Sequence, residues 1–296
     1  MEWREKERNY DFNALTKSHL EKLAKWKTEK ANGSTSRPPR APRNLMTGQH
    51  RPGNLFNGVL HPIIGYGIKG AIWYQGESNA GRAFAYREIF PLMVQSWRQA
   101  WGQGDFSFYW TQLADFRPES IIPSDSSWAE LRESQTICLR KLDHSGEAVI
   151  IDAGEGRDIH PRNKQIVANR LLRHALAKDY GQKVPYESPK YKSMQIKGSK
   201  IIINFNHAGA GLYCFDSKAP TGFAICGEDQ KFVWASAKLI GKDRVELWTD
   251  SVTAPIAVRY AWADNPVCNL YLRDGGVTLP VTPFRTDDFP LTTMGK

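Results

Sequence analysis

No run of eighteen apolar residues occurs anywhere in the 296-residue chain, so no membrane-spanning helix is expected. Cysteine is scarce: Cys138, Cys214, Cys226 and Cys268 include no Cys-x-x-Cys pair and no zinc-ligand spacing. A bridge between Cys214 and Cys226 is conceivable across neighbouring strands of an exported protein, but buried free thiols are the expected state. Nothing resembles a glycine-rich phosphate loop, a dinucleotide fingerprint or a metal-binding cluster, and His50 and His61 stand isolated. The opening residues, Met1-Glu-Trp-Arg-Glu-Lys-Glu-Arg, are charged throughout and do not form a signal peptide. Internal repeats and low-complexity tracts are missing too.

Positive charge is in excess, 40 Lys and Arg against 31 Asp and Glu, and a solvated basic surface accounts for it. Nucleic-acid binding would need clustered Lys and Arg with interleaved aromatics. The densest basic run, Arg37 to Arg43, is instead broken by prolines and reads as a linker. An apolar content of 41%, with ten Trp, supports a substantial core in one large domain or two smaller ones.

Three regions are expected: an N-terminal helix and Pro-rich linker over 1–43, an α/β domain over 44–184, and a β-rich domain over 185–296. Residues 10 to 31 are charged and helix-prone, and Gly33 with Pro38, Pro39 and Pro42 ends that helix. A mixed segment from Leu55 to Ile68 predicts a short helix packed under the site. From 68 to 181 strands alternate with helices. Strands are expected at Ile68–Gln75, Phe106–Leu113 and Glu147–Asp152. Helices are expected at Tyr86–Trp101, with Ile89, Met93 and Trp97 facing inward, at Trp128–Leu142, and from Pro161 to Tyr180. Gly181 fits the C-cap of the last. This order argues for a parallel sheet with helices on both faces. Beyond Pro185, short strands separated by turn signals predict an antiparallel region.

Two polar clusters follow buried strands. One is Gly70-Ala-Ile-Trp-Tyr-Gln-Gly-Glu-Ser-Asn-Ala-Gly81. The other is Arg157-Asp158-Ile159-His160-Pro161-Arg162-Asn163-Lys164. Open α/β sheets place their chemistry at such strand ends, so one shared hydrolytic site is expected. His160, in a loop beside a carboxylate, is the candidate general base. Asp158, two residues earlier, is the candidate acid that orients it, with Asp152 as the alternative. Gln75 and Gly76 offer a side-chain amide and a backbone N–H to an oxyanion, with Asn79 as a second donor. Glu77 cannot donate when ionised and is expected to fix the loop.

These motifs carry a resemblance. Trp-Tyr-Gln-Gly-Glu-Ser-Asn (73–79), Trp-Ala-Glu-Leu-Arg-Glu-Ser-Gln (128–135), Asp-Ile-His-Pro-Arg-Asn-Lys-Gln (158–165), Arg-Tyr-Ala-Trp (259–262), Asn-Leu-Tyr (269–271) and Pro-Phe-Arg-Thr-Asp (283–287) resemble the bacterial sialate O-acetylesterase family. That family is one of the SGNH (GDSL-type) serine hydrolases, and the likeness runs from about residue 10 to 288. It implies an SGNH-type parallel sheet flanked by helices and then an antiparallel β domain. It also implies a substrate that is an O-acetylated sugar, a serine acyl-enzyme mechanism with His160 and Asp158, and no cofactor. Relatives are commonly exported.

The family's serine lies in a Gly-Gln-Ser-Asn motif upstream of the first cluster. Here only Thr47-Gly48-Gln49-His50 comes near, with His in place of Ser. The sequence thus resembles the C-terminal part of a longer esterase, with the first strand and the nucleophile missing. Ser78, in Gly76-Glu77-Ser78-Asn79-Ala80, faintly resembles the nucleophile elbow of α/β-hydrolases and is kept as an alternative. A non-catalytic carbohydrate-binding fragment is a further one. Ser127 and Ser134 are expected to cap or pack. Among the aromatic residues Trp73, Tyr74, Trp110, Trp128 and Trp262, the last two are the better candidates to stack on a sugar.

Overall fold

A computed structural model gives the structure for residues 2–49 and 51–296, so His50 lies outside the described residues. The chain forms two compact units, residues 1–66 and 67–296. In the first, α1 (Glu2–Arg8) and α2 (Phe12–Ala31) are separated by Asp11, whose carboxylate accepts the Ala14 N–H and caps α2. No residue of α2 is buried. Short π and 3-10 turns follow at Phe56–Leu60 and His61–Ile63.

The second unit opens with a three-stranded parallel sheet in the order β1 (Gly70–Trp73), β2 (Ser107–Thr111), β3 (Ser145–Ala148). Helices α3 (Ala83–Trp101) and α4 (Ser127–Cys138) make the two crossovers, and α5 (Lys164–Lys178) follows β3. Side chains of β2 alternate as a strand requires. Phe108 and Trp110 pack with Phe90 and Leu131 on the α3–α4 side, whereas Tyr109 joins Ile150, Val167 and Leu171 on the α5 side. Helices therefore cover both faces of the sheet, as the strand–helix alternation predicts.

Several details differ from the sequence reading. The buried face of α3 is Tyr86, Phe90 and Val94, one position away from the Ile89–Met93–Trp97 stripe, and Ile89 is exposed. Both stripes satisfy helical spacing, and Met93 and Trp97 of the expected stripe, partly buried, still pack against the same core. β3 ends at Ala148, three residues before the apolar run stops. Val149 and Ile151 turn instead into the core of the antiparallel region, while Ile150 stays with α5. The last helix begins at Lys164 and not at Pro161, because the Asn163 side chain accepts the Ile166 N–H and caps it. Gly181, at φ 65°, takes the left-handed turn just past its end.

The remaining strands are antiparallel. β4 (Lys190–Lys197), β5 (Lys200–Asn206), β9 (Ser236–Ile240) and β10 (Arg244–Trp248) form one sheet in the order β4-β5-β10-β9. β7 (Phe223–Cys226), β8 (Val233–Trp234), β11 (Ala257–Tyr260) and β14 (Phe284–Arg285) form a second in the order β14-β11-β7-β8. β6 (Leu212–Cys214), β12 (Leu270–Asp274) and β13 (Val277–Pro280) form a third. Ile201, Ile203, Ile225, Val245, Leu247, Val258 and Tyr260 meet in one apolar core. All four cysteines are free thiols. Among the described residues no helix is long and apolar enough to cross a membrane.

Helix α4 ties these parts together with buried polar groups. The Arg132 guanidinium is fully enclosed and donates to the carbonyl oxygens of Leu113, Ala114, Ala263 and Asp264. Burial pushes its pKa down to about 10, still far above neutrality. Glu130 accepts the N–H and O–H groups of both Thr292 and Thr293. Gln135 receives the Leu113 N–H and donates to the Thr111 carbonyl.

Candidate active site

The two polar clusters converge. Tyr74, Gln75, Glu77 and Ser78, after β1, face Ile159, His160 and Pro161, before α5, and Lys164 at its start, across an open cleft of about 440 Å³. Both segments leave the same end of the parallel sheet, because β1 and β3 run in the same direction. Gly76 makes the sharp corner out of β1. Its φ of 153° is open to glycine, and a Cβ there would press on Leu131 and Leu113.

The amides of the first wall are oriented by one chain of hydrogen bonds. Tyr86 donates its hydroxyl proton to Gln75 Oε1 at 3.1 Å, which turns Gln75 Nε2 toward Asn79 Oδ1 at 2.7 Å. The Asn79 Nδ2 group then carries no protein hydrogen bond among the described residues. Gln75 is thus a positioning residue in this geometry, and Asn79 is the side chain with free amide donors. Gln135 Nε2 holds the Gln75 carbonyl from below at 3.4 Å. Glu77 is half-buried, and Ser78 is exposed on the cleft.

The second wall is a loop shaped by carboxylates. Asp115 accepts the Gly154 N–H at 2.6 Å, and a Cβ at Gly154 would collide with Asp115. Glu155 accepts the Arg162 N–H at 3.0 Å, and its carbonyl accepts the Asp158 N–H. Asp158 Oδ1 accepts the His160 backbone N–H at 2.9 Å, while it stands 3.8 Å from His160 Nδ1. An i to i+2 spacing lets the carboxylate close a turn on the backbone, and that turn holds it back from the ring. The imidazole is 85% exposed, at the rim of the cleft. Asp152 does not reach His160: Arg170 grips both its carboxylate oxygens.

Tyr74 and Lys164 also line the cleft. The Lys164 ammonium lies 4.8 Å from the Tyr74 ring centroid. Burial, then the charges of Glu77 and Asp115, push the Tyr74 hydroxyl up to about 12, and its oxygen has no protein partner. Tyr74 is among the aromatic residues considered for stacking on a sugar, whereas the sequence reading gives Lys164 no role.

Other candidates have structural roles. Trp110 is fully enclosed. Trp128 is buried, its indole N–H donating to the Ala114 carbonyl, and it offers no face to a sugar. Trp262 is buried as well. Trp73 packs edge-on against Trp97. Ser134 donates to the Glu130 carbonyl inside α4, and Ser126 rather than Ser127 caps that helix. The Arg-Tyr-Ala-Trp and Pro-Phe-Arg-Thr-Asp motifs meet where Asp287 bridges Arg259 and Arg285.

No family model matches the chain. Sialate O-acetylesterase of Mus musculus is 32% identical over 271 residues, which make up 82% of this chain and 49% of that protein. Its Homo sapiens counterpart is 30% identical over 272 residues, 82% of this chain and 50% of its own length. The crystal structure of a carbohydrate acetylesterase from Xanthomonas citri matches with a TM-score of 0.74 and 43% identity. That match covers 79% of this chain and 54% of the other. The kinship inferred from the sequence motifs is therefore found in both comparisons. The chain spans about half the length of the curated relatives it matches.

Proposed function

We propose that this relative of the sialate O-acetylesterases contributes the histidine and oxyanion walls of a site that removes O-acetyl groups from a sugar. The observation that carries the reading is the convergence of His160 with Gln75, Glu77 and Ser78 of the strand-end corner on one cleft. In this reaction a serine hydroxyl attacks the acetyl carbonyl carbon, and its proton passes to His160. The carbonyl electron pair moves onto oxygen, where the Asn79 amide and the Gly76 N–H offer donors. Collapse expels the sugar hydroxyl, which takes the proton back from His160. Water then repeats the sequence and releases acetate. Asp158 shapes the turn that presents the imidazole. Closing of its 3.8 Å gap to Nδ1 on substrate binding would complete the triad.

We place the nucleophile on a segment that pairs beside β1, in the manner of the SGNH sheet. Two observations support this. Among the described residues β1 is an edge strand, hydrogen-bonded to β2 alone. Ile72, on the face that α5 covers over β2 and β3, is 68% exposed. An apolar side chain on an open strand edge marks a place for another strand. The test is hydrolysis of p-nitrophenyl acetate. The 296-residue chain alone is expected to match its His160→Ala variant. Adding a segment that carries a Gly-Gln-Ser-Asn motif, in cis or in trans, should raise the rate.

A second reading has one observation in its favour: Ser78 is exposed and lines the same cleft as His160. Fluorophosphonate labelling separates the two. An adduct on Ser78, with His160-dependent turnover by this chain alone, would make Ser78 the nucleophile.

A further inference from the structure

A second hollow, sharing no residue with the His160 cleft, lies where β7, β8 and β11 meet the loop 117–126. Its inner part, of about 180 Å³, is walled by Phe232, Trp234 and Trp262, with Arg259, Gln230 and Asp125 supplying polar groups. An outer part of about 360 Å³ adjoins it across Gly222 and Trp234.

Arg259 is held rigidly at its floor. Its Nε and Nη2 groups both donate to Asp287 at 3.0 Å. Its guanidinium is sandwiched 4.2 Å from the Phe232 ring centroid and 5.2 Å from that of Trp262. The remaining Nη1 group makes no hydrogen bond among the described residues. Its nearest carboxylate is Asp125 Oδ1, 3.6 Å away on a side chain that is 70% exposed. A fixed donor edge and a loosely held acceptor therefore stand side by side.

Trp234 supplies the wall between the two parts. Its indole N–H is tied to the Ile121 carbonyl at 2.8 Å, yet the residue stays 41% exposed. An anchored ring with an open face is a stacking platform with little freedom left to lose. Gly222, at φ 89°, lines both parts; a Cβ there would collide with Cys268 and the Val267 carbonyl.

We propose that this hollow binds one neutral pyranose ring of an oligosaccharide. The C–H face of the ring would stack on Trp234. Two adjacent hydroxyls would engage the polar pair, one accepting from Arg259 Nη1 and the other donating to Asp125. A planar aromatic face and a donor beside an acceptor suit a vicinal diol, whereas the nearby carboxylate disfavours an anionic sugar. The same loop also touches the turn that leads to His160. Arg117 donates its N–H to the Gly156 carbonyl, and Asn265, on the outer wall, donates to the Arg117 carbonyl. A glycan held at Trp234 thus rests on the loop that buttresses the turn before His160. This binding involves no catalytic step, so it stands whether or not His160 acts in hydrolysis.

The test is titration of the isotopically labelled full chain with cellotetraose, xylotetraose and lacto-N-tetraose, followed by NMR. At least one should bind, with the shifts centred on the Trp234 indole. Trp234→Ala should weaken binding about tenfold and Trp234→Phe less than threefold, as stacking on an aromatic face requires. Asp125→Asn should weaken it several-fold, and His160→Ala should leave it unchanged. Trp234 and Asp125 are exposed enough for the variants to fold. If Trp234→Ala does not, the Trp234→Phe and Asp125→Asn variants decide. The proposal is overturned if none of the three sugars binds, or if binding survives Trp234→Ala and Asp125→Asn unaltered. Shifts confined to residues 74–79 and 158–164 would also overturn it, while supporting the acetyl-sugar reading of the first cleft.

Discussion

Helix α4 and the loop 155–162 carry charged motifs of the same family resemblance, yet their surroundings are opposite. Glu130, Arg132, Ser134 and Gln135 of α4 are almost wholly enclosed, and every one of them is hydrogen-bonded to main chain. In the loop, Arg157, His160 and Arg162 face solvent, and the carboxylates of Glu155 and Asp158 serve backbone N–H groups. Burial with full pairing marks a residue whose loss unfolds the protein. Exposure on a pre-shaped turn marks one whose loss leaves the fold intact and removes only its chemistry. A recurring polar motif can therefore mean scaffold or site, and the count of satisfied partners tells which.

Substitution at Arg132 should give the largest effect on this contrast. Arg132→Ala strands the Leu113 and Ala263 carbonyls, while those of Ala114 and Asp264 keep the Trp128 indole and the Phe116 N–H. A loss of roughly 3–5 kcal/mol is expected, seen as a large drop in the denaturation midpoint or in soluble yield. A stable Arg132→Ala protein would break the comparison.

The next test uses pH. Burial, relieved in part by Lys190 and by bonding to Thr136, pushes the Glu147 carboxyl from its ordinary 4.5 up to about 7. The folded state keeps this proton at pH values where the unfolded chain has released it. Stability contributed by Glu147 is therefore complete below about 4.5 and falls as pH rises toward 7. Glu147→Gln lacks this titration. Its stability relative to the parent should rise across that window by up to on the order of 3 kcal/mol. His174, which burial pushes down to about 3, acts in the opposite sense below its ordinary 6.5. It is present in both proteins and cancels in the difference. Parallel stability curves from urea titrations at several pH values would refute the assignment.

Gly154→Ala sits between scaffold and site. The new Cβ meets Asp115, so the backbone must shift, at a cost of about 1–3 kcal/mol. The turn carrying His160 should move with it. Amide shift changes are expected through residues 155–162 and not in α4. His160→Ala should be mildest for stability, within about 0.5 kcal/mol of the parent by denaturant titration.

The strand–helix order of 68–181 is legible in the sequence because its helices, of 19, 12 and 15 residues, are long enough to show their period and so mark off the strands between them. The strands Leu212–Cys214, Leu270–Asp274, Val277–Pro280 and Phe284–Arg285 are not, since two to five residues give too few alternations to register. In the candidate site, the meeting of Gln75 with His160 follows from strand ends pointing one way. The detail within each turn does not. Spacing says that Asp158 is near His160, but not that the backbone N–H outcompetes the ring for its oxygen. Likewise, nothing local reveals that Tyr86 sets the Gln75 amide and so frees Asn79, because that contact depends on how α3 docks.

The Glu130 pairing has a consequence for synthesis on the ribosome. Its partners lie 162 and 163 positions further along the chain. The parallel sheet and α4 emerge long before Thr292 and Thr293 exist. Until then an acidic group meant for the interior has no donors. The segment that brings these donors also packs beside Glu130, so the carboxylate stays hydrated until the threonines arrive, and closure over this helix belongs among the late events of folding.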